Sequence, residues 1–404
     1  MIDADVPRSP IVWAKVCGLA TVQGAIVLMW VIYNLYLPSL LKQFGFPPRF
    51  SIGLLVVENL LAIALEPIMG GASDQARIWV GSRFPMIILG VVISAASFIL
   101  IPAVMLLGDA TTVLRWLLPI AMVIWAIAMT IFRSPVMALL GQYAFATRLP
   151  QAASILMFMG ALAGAIGVFA APSKFILSLG PTMAFTIGSI VALLTAMLLR
   201  VLDAQLPNSI LTIAAEPLSH SLRSLLPALG QIFGVGAGIA LGSRLMNVVF
   251  NQIQTSPGVL TGTFTIAVLL STLPAGWLAV KIGNRPVMVT GLGILAVLLG
   301  LMGLLQNMEW GMGIAVLLGI AFSPVSNGTI PFAFSVMPPD RGGLGVGMFF
   351  GGSALAGMLL NLAISQFGAV SLMPAVVGGT LAFLMAGLLI YYSSCWKAAS
   401  KECE

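Results

Sequence analysis

Charge is what this chain has least of. Only 7% of its 404 residues are Asp, Glu, Lys or Arg, against about 25% in an ordinary soluble domain, which excludes a water-facing surface over most of the molecule. One histidine leaves little for nucleophilic or zinc chemistry, and three cysteines imply no disulfide framework. A Walker loop, a His-Glu-x-x-His pair and clustered acids for a metal are all missing. Enzymatic activity, a cofactor and a bound metal are therefore not expected. ATP-driven pumping would need a separate ATPase chain. The runs are too long and uniformly apolar for the alternating strands, about ten residues each, of a membrane barrel.

What the chain has is apolar length, with 60% hydrophobic residues and a mean hydropathy of +1.09. Polar breaks divide it into twelve runs, at 13–37, 51–72, 84–107, 116–143, 151–172, 180–201, 226–250, 259–280, 286–305, 310–336, 343–366 and 371–393. A helix needs roughly 20 apolar residues to cross a bilayer, and a backbone in lipid must satisfy its own hydrogen bonds. The expectation is an all-α membrane protein of twelve transmembrane helices. Met1 to Pro10 carries two acids and leads into a full-length run, so no cleavable leader is expected.

Lys and Arg set the orientation. With the N-terminus inside, twelve of them (Arg8, Lys15, Arg77, Arg83, Arg148, Arg200, Arg223, Lys281, Arg285, Arg341, Lys397, Lys401) face the cytoplasm, and only Lys42, Arg49, Arg115 and Lys174 face out. Both termini are thus expected in the cytoplasm, in a plasma or inner membrane. The net charge of +6 then reflects topology, and a nucleic-acid partner is not needed to explain it. Cys17, Cys395 and Cys403 fall at the reducing face.

The longest polar connection, Asp203 to Leu225, divides a first half (1–202) and its linker (203–225) from a second half (226–404); His220 sits in the linker. The halves echo one another. Gly70-Gly71-Ala72-Ser73-Asp74 and Gly81-Ser82-Arg83-Phe84-Pro85 have a shortened copy about 200 residues on, in Gly276-Trp277-Leu278-Ala279-Val280-Lys281-Ile282-Gly283-Asn284-Arg285-Pro286. Phe132-Arg133-Ser134-Pro135-Val136 and Phe322-Ser323-Pro324-Val325 repeat with their prolines 189 residues apart. Small residues recur at four-residue spacing in Gly160 and Gly164, and in Gly343, Gly347 and Gly351. Such faces let helices approach closely, either as ordinary bundle packing or as a seam between halves.

Twelve spans, the duplication and the loop pair resemble the major facilitator superfamily. Gly276, Leu278, Ala279, Lys281, Gly283 and Arg285 fit its loop motif, with Val280 where the motif has an acid. The first-half loop is similar to that of the sucrose-transporter and glycoside/cation-symporter branch: Asp74, Gly81, Arg83 and Pro85 fall at that branch's spacing. Ser134-Pro135-Val136-Met137-Ala138-Leu139-Leu140-Gly141-Gln142, the early Gln23 and Trp30, and Ile330-Pro331-Phe332-Ala333 extend the likeness. Met137 and Gln142 stand where the branch has an Arg and an Asp, and Ser82 and Phe84 replace two loop arginines. The resemblance implies two six-helix bundles related by a pseudo-two-fold axis, a cavity for a sugar or related solute between them, and coupling to H+ or Na+. The missing helix-four acid is the one relatives use for proton coupling.

Candidate site residues are the polar groups buried in the spans, where ionisable side chains are costly. Glu58, Glu66, Arg133 and Arg244 are the four charges inside runs. Arg133 lies about 15 Å from the inner end of its helix at 1.5 Å per residue. A Glu66–Arg133 pair would serve coupling or gating, or else lock the first half. Glu58 and Arg244, nearer the outer face, could pair as an outer gate, with snorkelling as the alternative for Arg244. Gln23, Trp30 and Asn34 share one helix face, and a ring beside amides suits a polyol, with interfacial anchoring as the alternative for the outermost of them. Tyr33 and Tyr36 fit an aromatic belt. Asn247 and Asn251, with Ser323, Ser326 and Asn327, either line the cavity or bond between helices. Asp74, Gly81, Arg83, Gly283 and Arg285 are expected to form an inner latch, or else only to fix topology. The functional expectation is a solute transporter, secondary or facilitative, acting as a monomer in the bilayer by alternating access. The alternative is a non-transporting scaffold or assembly factor that binds a lipid or pigment.

Overall fold

The computed structural model describes residues 11–104, 112–173, 178–205, 222–253, 258–306 and 308–401. Most of the expected linker, with His220, and the terminal Arg8 and Cys403 lie outside them. Twelve long helices carry the described chain: α1 (Trp13–Gln43), α2 (Pro48–Val80), α3 (Phe84–Ala103), α4 (Thr112–Ala138), α5 (Leu149–Ser173), α6 (Pro181–Gln205), α7 (Leu222–Ile253), α8 (Val259–Ile282), α9 (Asn284–Leu305), α10 (Met308–Val336), α11 (Gly342–Phe367) and α12 (Leu372–Lys401). Among the described residues, twelve helical segments are long and apolar enough to cross a membrane.

Several helices outrun their apolar stretches. α1 continues through Pro38 to Gln43, and α2 has 33 residues, about 50 Å of helix at 1.5 Å per residue. Ser73 and Asp74, expected in a loop, therefore lie within the last turns of α2. Nothing after them breaks a helix until Gly81, whose left-handed φ of 74° ends it. The second copy is built the same way: Gly276 to Ile282 complete α8, and Gly283, at φ 106°, makes the turn.

Helix pairing repeats between the halves. α1 packs on α5 and α6, α3 on α4 and α6, and α2 on α4. Six helices later, α7 packs on α11 and α12, α9 on α10 and α12, and α8 on α10. The pairing scheme is the one a pseudo-two-fold axis requires. Among the described residues each half also has its own apolar core; the first takes Ile330 and Val346 from the second, with Phe334 and Phe350 packed against it.

The halves meet along two symmetric seams, α2 on α11 and α5 on α8. In the first, backbone approaches backbone. A Cβ on Gly343 would lie 2.5 Å from the Gly70 carbonyl oxygen, one on Gly347 would lie 2.3 Å from that of Glu66, and one on Gly351 would lie 3.1 Å from that of Ile63. The Ile63 carbonyl is free to face α11 because Pro67, four residues on, has no N–H to offer it. In the second seam, Gly276 presses on Ser154 and Pro150, and Gly262 on Phe169. Gly160 and Gly164 instead face Gln23 and Val27 of α1. Of the two small-residue stripes, the one on α11 makes the seam and the one on α5 is packing inside the first half.

Candidate functional site

At the helix ends that carry the repeated motif, hereafter the motif face, Asp74 reaches across the seam. Its two carboxylate oxygens accept the backbone N–H groups of Gly343 (2.9 Å) and Leu344 (2.8 Å), in the first turn of α11. Unsatisfied N–H groups and the positive end of the helix dipole make this a favourable place for an anion. Arg83 ion-pairs with Asp74 from beyond the Gly81 turn, and both side chains are only 2% exposed. Ser73 is buried beside them, its hydroxyl donating to the Gly70 carbonyl. One helix end of the second half is thus capped by a carboxylate of the first. Arg285 stays within its own half, donating to the Ser335 hydroxyl at 3.2 Å and lying over the Phe332 ring. Gly81 and Gly283 supply turn conformations and no contact across the seam.

Further along the same seam, away from the motif face, lies a cavity of about 340 Å³ walled by both halves. The first half contributes Trp30 and Asn34 from α1, Glu58 and Asn59 from α2, and Thr130 and Arg133 from α4; the second contributes Arg244 from α7, with Ser353 and Asn361 from α11. Arg133 ion-pairs with Glu66 and lies over the Phe350 ring, 4.2 Å from its centre. Glu66 is fully buried and also accepts the Ser134 hydroxyl. Glu58 accepts the Tyr33 hydroxyl, and Tyr33 packs on Trp125 with ring centres 4.3 Å apart. The Trp30 indole N–H is buried without a hydrogen-bond partner. Arg244, among the described residues, makes neither an ion pair nor a hydrogen bond. Its guanidinium shares the space left by Gly357, where a Cβ would sit 2.9 Å from Nη2 and 2.6 Å from Asn59 Oδ1.

Several expected residues lie elsewhere. Glu58 and Arg244 do not pair with each other, because Glu58 turns to Tyr33. Tyr33 and Tyr36 are buried, 0% and 3% exposed, so neither sits in an interfacial belt. Gln23 packs against Gly160 of α5 and is not in the cavity wall. Asn34 is on the wall, though its amide donates to the Trp30 carbonyl of its own helix. Asn247 likewise donates to the Ser243 carbonyl, and Asn251 is exposed; neither lines the cavity. Two of the α10 group bond between helices: Ser323 meets Ser271 at 2.7 Å and Asn327 donates to the Thr272 carbonyl at 2.7 Å, fastening α10 to α8 within the second half. Ser326 donates to the Ser323 carbonyl of its own helix. Asn59, Thr130, Ser353 and Asn361 also line the wall and were not among the expected residues; one turn of α2 carries both Glu58 and Asn59, and the neighbouring charge was the available signal.

No family model matches the sequence, and no curated protein matches it. Solved structures do match in fold. A bacterial homologue of the iron transporter ferroportin, in an outward-facing state, superposes with a TM-score of 0.74 at 16% identity, over 94% of this chain and 99% of that one. The human organic anion transporter MFSD10 gives 0.67 at 17%, over 96% and 100%. The E. coli fucose:proton symporter FucP gives 0.68 at 14%, over 94% and 98%. FucP is described as a major facilitator superfamily transporter, and the fold of this chain is the fold of that superfamily.

Proposed function

We propose that this protein moves a small organic solute across a membrane by alternating access, with the cavity between its halves as the binding site. The observation that carries this is the cavity's position. It is walled by charged and amide side chains of both halves, and the seam beyond it is held shut at one face by Asp74 on α11. Releasing Asp74 from α11 while the other face closes would turn the cavity round. With the motif face taken as cytoplasmic, as the bias of lysines and arginines supports, the described state is closed inward. Asp74 and Arg83 form the latch, and Gly81 and Gly283 shape the turns around it.

Asn34, Asn59 and Asn361 beside Trp30 suit a hydroxylated solute, as in the sugar-transporting branch that the loop resembles. Glu58 and Glu66 are the ionisable groups through which H+ or Na+ could be coupled. One chain is the working unit, since both walls come from it.

The test is flux across liposomes. Gly71 and Leu344 face each other across the seam; a Cβ on Gly71 would lie 3.7 Å from Leu344 Cδ1. A Gly71→Cys/Leu344→Cys pair, oxidised, should stop uptake from a panel of labelled sugars and small organic acids, and reductant should restore it. Equal flux in both redox states, or none for any solute, would defeat the reading. Absence of flux together with a stoichiometric copurified lipid or pigment would favour a scaffold.

A further inference from the structure

We infer that the solute is a small organic carboxylate, and that Arg244 holds its acid group. The inference rests on the cavity being the transport site. A charged group at membrane depth is costly and persists when something offsets it. Among the other charges along the seam, Glu66 has Arg133 and Ser134, and Asp74 has Arg83 and two backbone N–H groups; Glu58 accepts the Tyr33 hydroxyl on one oxygen. Arg244 has nothing of the kind, although it is partly buried and faces the cavity. A second cation, Arg133, faces the same space. Two guanidiniums converge on one cavity, and only one of them has an ion-pair partner.

A carboxylate fits the vacancy in chemistry and in shape. The guanidinium fork matches the two oxygens of a carboxylate, and such bidentate bonds are stronger than neutral ones. An anion set between Arg244 and Arg133 would also relieve the repulsion between them. Trp30 supplies an aromatic face in the same wall, and Asn59 lies beside Arg244 at Gly357. A neutral sugar would give the Arg244 guanidinium no anion to pair with, and Glu58, the carboxylate in the same wall, is turned to Tyr33. That separates an acid from a sugar here.

The test uses the purified full chain and matched pairs of an acid and a neutral analogue: gluconate with glucose, lactate with glycerol, benzoate with benzyl alcohol. Thermal unfolding should rise with at least one acid and stay flat with its partner. Arg244→Gln should weaken that acid at least about tenfold, the lower end for charge-assisted bonds, and Arg244→Lys should keep part of it. Without solute, Arg244→Gln should unfold no earlier than wild type, since no protein partner is lost. An earlier apo transition would mean that Arg244 is structural and would overturn the inference, as would acids that never outperform their neutral partners. The oxidised Gly71→Cys/Leu344→Cys block reports on transport separately. Reversible block of a neutral sugar's flux would leave the transporter standing and remove only the carboxylate.

Discussion

Asp74→Asn is the sharpest perturbation available, because it keeps the size of the side chain and removes only its charge. In the wild type, the Asp74 oxygens lie 2.9 and 2.8 Å from the Gly343 and Leu344 nitrogens, and Arg83 completes the cluster. An asparagine must turn an N–H2 group toward donors, and Arg83, 2% exposed, becomes a buried cation without its counterion. Removing one partner of a buried pair costs about 3–5 kcal/mol. Most of that is recovered if the seam opens and Arg83 reaches water. A net bias of about 3 kcal/mol toward the state open at the motif face is a factor on the order of a hundred. Such a factor carries a state populated at about 1% to roughly half of the molecules. Spin labels at Trp79→Cys and Ile282→Cys, on exposed ends of α2 and α8, would report it, with Cys17, Cys395 and Cys403 replaced by serine. The expected result is a second, longer distance in Asp74→Asn that is absent from the parent. An unchanged distribution in a folded variant would refute the latch. Val280→Ala, at the matching place in the other copy, should change nothing.

Arg133→Ala should abolish solute uptake and also lower stability by about 3–5 kcal/mol, because Glu66 is left buried without its cation; chemical unfolding in detergent measures the second effect. Pairing it with Glu66→Gln should restore stability but not uptake, and rescue of uptake would show that the pair is only structural. Gly347→Val should force the seam apart at the Glu66 carbonyl, 2.3 Å from where its Cβ would lie, and lengthen the same spin-label distance. Asn327→Ala should cost about 1 kcal/mol, a typical net hydrogen bond, with uptake intact, since the bond it loses joins α10 to α8.

Composition and the loop pair made the helices, their number and their duplication legible, because lipid allows few ways to satisfy a backbone and charge marks the ends. Helix ends were less legible: apolarity stops where lipid stops, whereas α2 runs on past Asp74 until Gly81 breaks it. In the site, rare charges could be read because each one in a span is expensive. Glu66 and Arg133 do meet, on neighbouring helices. Amides and hydroxyls could not be sorted by the same logic, since Asn327 and Asn59 look alike until it is known which neighbour each one faces. One faces α8 and the other faces the cavity. The partner of Glu58 was hidden for a related reason: Tyr33 is apolar enough to suit an interface, and only packing on Trp125 shows it to be interior.

The glycine seam between α2 and α11 has a thermal consequence. Side chains that interdigitate bury apolar area, and burying or exposing apolar area changes heat capacity. Gly343, Gly347 and Gly351 meet carbonyls with no side chain of their own, so parting the helices there exposes less hydrocarbon than an interdigitated interface of the same length would. Warming or cooling should then shift the balance between the two states less than it would for such an interface. The seam would move at a more even readiness across the range of temperatures the cell meets, and charge, through Asp74, would be the means of shifting it.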